Sequence, residues 1–139
     1  MLSRDYIIGL TDGEGTFLVY IWKRKKITQN PRVECYYAIK MREDELPLLK
    51  EVKKFFGCGN VYFQKEYREN QRNNYRFQIR KIDELNKKVV PLFKKNPLHS
   101  QKKKDFEIFC KVLDIVNKKE HLNQKGLEKI KKLKREMHK

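Results

Sequence analysis

YIIGLTDGEGTF (residues 6–17) gathers three of the chain's six glycines and two acids, Asp12 and Glu14. An apolar run reads into it. Ser3 can cap a helix through Asp5–Leu10, with Leu2, Tyr6 and Leu10 on one stripe, Ile7 and Ile8 thickening it, and Gly13 and Gly15 ending it. Beyond Gly15 the period changes to two: Phe17, Val19 and Ile21 face one way, and Thr16, Leu18, Tyr20, Trp22 and Arg24 the other. A helix ended by glycines, with two acids at its C-terminal end and a strand after it, opens the chain.

Further strands and helices follow, with no internal repeat of the sequence. RVECYYAIK (32–40) predicts the second strand of a hairpin turned at TQNP (28–31), with Val33, Cys35, Tyr37 and Ile39 inward. Residues 43–56 predict a helix burying Leu46, Leu49, Val52 and Phe56, with Pro47 in its first turn and Gly57 as its stop. A second hairpin follows: NVYFQK (60–65) buries Val61 and Phe63, and NNYRFQIR (73–80) buries Tyr75, Phe77 and Ile79. Helices over about 83–94, 101–117 and 122–137 complete the chain, the last two burying Phe106, Phe109, Leu113 and Val116, then Leu127, Ile130, Leu133 and Met137. The expected fold is α+β, with a four-stranded antiparallel sheet covered by helices on one face and extra C-terminal helices, as a single domain over 1–139.

Charge narrows the function. The net charge is +16, with 21 Lys and Arg against 12 Asp and Glu in residues 1–99 and 13 against 6 in residues 100–139. The excess is spread along the folded chain, which points to a polyanion held over a broad surface. No run of about 18 apolar residues is present to span a membrane, and MLSRDYIIGL does not read as a signal peptide. Cys35, Cys58 and Cys110 form no CxxC pair and His99, His121 and His138 are scattered, so reduced thiols are expected, inside a cell (a bacterial or archaeal cytoplasm, or an organelle).

The outward face of the sheet carries Tyr20, Trp22, Arg24, Arg32, Tyr36, Lys40, Tyr62, Gln64, Asn74, Arg76, Gln78 and Arg80, with Glu34 and Ala38 among them. These are mostly long, planar or multiply donating side chains, suited to base edges and phosphates. In such a protein an acidic patch at a helix C-terminus, where carbonyls already concentrate negative charge, repels phosphate unless a cation lies between. Oxygen donors suit a hard divalent ion: Mg²⁺, or another such as Mn²⁺. Gly9 and Gly13, four apart, leave one helix face bare for another backbone.

IIGLTDGEG (7–15) resembles the motif of the LAGLIDADG homing endonucleases, and the predicted order αββαββα is that family's. FFGCGNVYF (55–63) resembles its junction into the third strand, and KKKDFEIF (102–109) the basic segment before its later helix. The resemblance implies a saddle-shaped sheet over double-stranded DNA. It also implies signature helices packed across a two-fold axis, with Ile8, Gly9, Asp12 and Gly13 at the dimer interface. Glu14 would be the metal-binding catalytic carboxylate, aided by the Gly13 carbonyl, with Asp12 organising the helix end. Lys102 would be the basic catalytic residue, with Lys103 or Lys104 as alternatives. A polar solvent-network residue of the family falls at Met41, which cannot serve; Lys40 could. One motif implies a homodimer cutting a long pseudo-palindromic site by Mg²⁺-dependent hydrolysis, as in intron homing. An RNA-splicing maturase and a non-catalytic DNA-binding regulator of the same fold remain as alternatives.

Overall fold

The computed structural model describes residues 1–23 and 31–139. Its elements run α1 (Arg4–Glu14), β1 (Gly15–Trp22), β2 (Arg32–Arg42), α2 (Leu46–Phe56), β3 (Asn60–Gln64), β4 (Asn74–Ile79), α3 (Ile82–Glu84), α4 (Val90–Lys95), α5 (Lys102–Asn117) and α6 (Gln124–Glu136). Most of the predicted β1–β2 turn, and Arg24 with it, lies outside the described residues. The strands form the one four-stranded antiparallel sheet that the sequence predicts; the structure adds its order, β1-β2-β4-β3, with the two hairpins joined through β2 and β4.

The core lies between the sheet and the helices. Phe17, Tyr37, Ile39, Phe77 and Ile79 point into it from the strands, and Ile7, Leu49, Val52, Phe93, Phe109 and Leu113 meet them from the helices. Phe17 is the hub, its ring 5.2–5.9 Å from those of Tyr37, Phe93, Phe106 and Phe109. The inward sets predicted for β1, β2 and β4 stand, but Phe63 on the edge strand β3 is 53% exposed. Its ring meets that of Tyr75 edge-on at 5.4 Å, on a strand at the rim of the sheet with a neighbour on one side only.

Several helix boundaries differ from expectation, each for a local reason. α1 does not stop at Gly13 but continues to Glu14, and its fully buried residues are Ile7 and Thr11, whereas Tyr6 is exposed. Thr11 fits the core because its hydroxyl and that of Tyr37 share a 2.7 Å hydrogen bond. That bond tends to lower the Tyr37 pKa, but burial outweighs it and pushes the phenol up. The helix ends at Gly15, whose N–H donates to the Thr11 carbonyl; a Cβ there would lie 2.7 Å from Thr11 Cγ2. Only glycine lets helix pass directly into strand so close to Thr11. Residues Glu43–Glu45 form a 3₁₀ turn before α2. α3 and α4 are joined by a π-helical turn over Leu85–Val89, beside Pro91, which has no N–H to give an α-helical ladder. Glu120–Leu122 is a 3₁₀ turn, and α6 begins at Gln124 with Asn123 accepting from the Gly126 N–H at 2.8 Å.

Candidate active site and nucleic-acid interface

At the end of α1 three segments converge. Asp12 accepts backbone hydrogen bonds from His99 at 2.9 and 3.1 Å and from Ser100 at 2.9 Å, and the Ser100 hydroxyl donates to the Asp12 carbonyl at 3.0 Å. Partial burial tends to raise the Asp12 pKa, but the hydrogen bonds from Ser100 and His99 outweigh it and hold the carboxyl below its usual range. This clasp joins residues 87 and 88 positions apart and delivers the start of α5 to the end of α1. There the Lys102 ammonium donates to the Gly15 carbonyl, one residue beyond Glu14. Three lysines, 102–104, occupy the first turn of α5, the end of a helix where cations are least favoured. Helix stability does not account for them; an anion nearby would.

Glu14, the last residue of α1, is exposed, and among the described residues its side chain makes no hydrogen bond or ion pair. The Gly13 carbonyl is one of the last four of the helix, which have no partner within it. Carboxylate and carbonyl oxygens are the donors a hard divalent cation takes, so this corner suits one chemically. No group of three or more His, Cys, Asp or Glu able to hold a metal occurs among the described residues.

Beside the acidic corner, α1 presents an uncovered face. Tyr6, Gly9 and Gly13 are exposed, and a Cβ added at either glycine would meet nothing within 4 Å. Sequence reading placed Tyr6 on the buried stripe; it belongs to this open face instead. Ile8 is half-buried and leans on the core.

The saddle face of the sheet is built in rows by the strand register. Thr16, Ala38, Gln78 and Asn60 lie side by side, then Lys40, Arg76 and Tyr62, then Arg42, Asn74 and Gln64. Trp22 and Arg32 pair at the other end. Trp22, Arg32, Lys40, Tyr62 and Arg80 are exposed, and Tyr20, Gln64, Asn74, Arg76 and Gln78 are partly so. Two expected DNA-contact positions are corrected. Ala38 has no exposed surface and Tyr36 is only 7% exposed, so neither offers DNA a contact area. Glu34 is also committed, pairing with Arg32 and accepting from the Tyr36 hydroxyl. Alternation assigns a face but not a depth, and the middle of a four-stranded sheet is covered by its neighbours.

The family model described as LAGLIDADG endonuclease matches residues 7–113, from α1 through most of α5. The chain belongs to the LAGLIDADG endonuclease family. Over 129 residues the chain is 28% identical to "Probable intron-encoded endonuclease 2" of Neurospora crassa, covering 93% of this chain and 28% of that protein. Over 103 residues it is 29% identical to "Probable intron-encoded DNA endonuclease 1" of Mycosarcoma maydis, covering 73% of this chain and 34% of the relative. The chain thus spans about a third or less of the length of these relatives. The crystal structure of a homing endonuclease, I-TnaI, superposes with a TM-score of 0.86 at 35% identity, covering 99% of this chain and 89% of that one. I-SmaMI bound to uncleaved DNA in the presence of calcium superposes with a TM-score of 0.88 at 32% identity, covering 99% of this chain and 45% of that one. The LAGLIDADG fold expected from IIGLTDGEG is therefore the fold observed. No helix among the described residues is long and apolar enough to cross a membrane.

Proposed function

We propose that this chain is one half of a site-specific double-strand DNA endonuclease, a single domain over 1–139 that acts as a homodimer. The observation that carries the reading is the bare face of α1. In a helix interior glycine is less favourable than alanine by about 0.8–1.0 kcal/mol, and the protomer's own packing asks for glycine at neither position 9 nor 13. A second α1 crossing there gives the small side chains a purpose. It would bring two Glu14 carboxylates together, one for each DNA strand, and set two saddles side by side over the major groove.

In this reading Glu14 and the Gly13 carbonyl would hold Mg²⁺ or a similar divalent ion, and DNA phosphates and the partner would complete the shell. Such an ion, when bound, supplies Lewis-acid activation of water and neutralises charge at the scissile phosphate. Lys102 would offset negative charge building on that phosphate in the transition state. Asp12, its oxygens taken up by the clasp, would act by holding Lys102 in place. The exposed Trp22, Arg32, Lys40, Tyr62 and Arg80 and the half-buried Tyr20, Gln64, Asn74, Arg76 and Gln78 would read and grip the half-site, with Lys40 also standing in for Met41 near the cut. Its place of action would be the cytoplasm or an organelle, where its three free cysteines stay reduced.

The test is selection of a bound sequence from a randomised duplex library, followed by incubation of that duplex with Mg²⁺ or with EDTA. Cleavage of both strands in Mg²⁺ and none in EDTA is expected. Tight sequence-specific binding without cleavage would overturn the nuclease reading in favour of a regulator, and preferential binding of structured RNA would favour a maturase.

A further inference from the structure

The buried pair on the saddle, Tyr36 and Ala38, has an arrangement of its own. Arg76 pairs across the sheet with Lys40, yet its guanidinium lies over the Tyr36 ring, 5.9 Å from the centroid. Tyr36 is four residues from Lys40 on the same face of β2, with Ala38 between them. Arg76 must therefore lean back along the sheet across the Ala38 row, and a methyl side chain at 38 leaves the room. Lys40 beside it repels the guanidinium in that same direction. The Tyr36 ring is in turn fixed: its hydroxyl donates to Glu34, Glu34 pairs with Arg32, and Tyr20 packs edge-on at 5.4 Å. Arg76 Nε is buried and has no hydrogen-bond partner among the described residues. The arginine is thus placed beside the Tyr36 ring and, among the described residues, forms no ion pair; its two terminal nitrogens would be the donors to a guanine.

We infer that Tyr36 and Ala38 are positioning residues that set the base preference of Arg76 without touching DNA themselves. The inference rests on the DNA-reading role proposed for the saddle. Holding the guanidinium beside the ring before DNA arrives would reduce the rotamer entropy lost on binding and narrow the angles at which its two terminal donors meet a base.

The experiment is binding-site selection from a randomised duplex library with the wild-type protein, then with Arg76→Ala, Tyr36→Leu, Tyr36→Phe, Ala38→Val and the double variant Arg76→Ala/Tyr36→Leu. A bidentate arginine–guanine pair discriminates by about 5- to 150-fold. Arg76→Ala should erase one such preference in each half-site. Tyr36→Leu and Ala38→Val should weaken that same preference at least about fivefold and leave the other positions unchanged. Tyr36→Phe, which keeps the ring, should retain most of it, and the double variant should lose no more than Arg76→Ala alone. Should Tyr36→Leu fail to fold, Ala38→Val decides, since it leaves the ring and its hydroxyl intact. Retention of the Arg76 preference within twofold in both Tyr36→Leu and Ala38→Val overturns the inference. So does a shift at a different base position, or a uniform loss at all positions. A wild-type protein that enriches no sequence overturns the DNA-reading role beneath it.

Discussion

Gly9→Ala should make the protomer more stable and the enzyme worse. Gly9 lies mid-helix in α1, and an added Cβ meets no atom within 4 Å. The methyl therefore brings no clash in the single chain, and the helix gains about 0.8–1.0 kcal/mol of intrinsic propensity. With a urea dependence of about 1–3 kcal/mol per molar, the unfolding midpoint should rise by about 0.3–1 M, read where the protein is dilute enough to be monomeric. In the dimer the same methyl enters the crossing of two helices. Overpacking costs about 1–3 kcal/mol at each site, and symmetry doubles it. The dimer dissociation constant should then rise at least about 30-fold, measured by sedimentation equilibrium, with cleavage lost in proportion at fixed protein concentration. A midpoint that falls in the monomer would show that Gly9 serves the protomer's own fold. Dimerisation and cleavage unchanged by the methyl would show that α1 is not the interface.

Glu14→Gln should abolish strand cleavage in Mg²⁺ and leave binding to the selected duplex within about threefold, since it removes a metal donor and no part of the saddle; gel-shift and cleavage assays on one preparation decide it. Lys102→Met should lower single-turnover cleavage at saturating enzyme with little change in affinity, whereas a lysine that only grips phosphate would lower affinity on every sequence and reduce the salt slope by about one unit. Asp12 is held below its ordinary value of 3.8, so its clasp contributes stability that is complete above that value and is lost as pH falls through the lower folded-state pKa. Asp12→Asn should therefore be less stable than wild type at pH 7, and its unfolding midpoint should fall less steeply below about pH 4. Equal slopes for the two proteins would refute that linkage.

The parts of the site that were legible in the sequence are those fixed by local spacing. Gly9, Gly13 and Glu14 lie in one short run, and a helix of 3.6 residues per turn leaves little freedom in where they point. The hairpins were legible for the same reason, through two-residue alternation in 16–22, 32–40 and 74–80. What was not legible depended on distance or depth. The Asp12 clasp joins residues almost ninety apart, and nothing in LHSQ (98–101) marks its backbone N–H groups as donors to a particular carboxylate. Alternation placed Tyr36 and Ala38 on the saddle correctly but could not show that Tyr20 and Arg76 would lean over them. Tyr6 was misplaced because a tyrosine at a helical spacing from Leu2 and Leu10 looks like core. The bare face of Gly9 and Gly13 is legible in their spacing; that Tyr6 lies exposed on it and not in the core is what the structure adds.

In the proposed homodimer each protomer brings one Glu14 and cuts one strand. This is tested most directly with a mixed dimer of one wild-type and one Glu14→Gln protomer, isolated by two different affinity tags and incubated with the selected duplex, each strand labelled separately. The expected result is a nick in one strand of each duplex, with the opposite strand left whole. Cleavage of both strands by the mixed dimer, or of neither strand while the wild-type dimer cuts both, would contradict it.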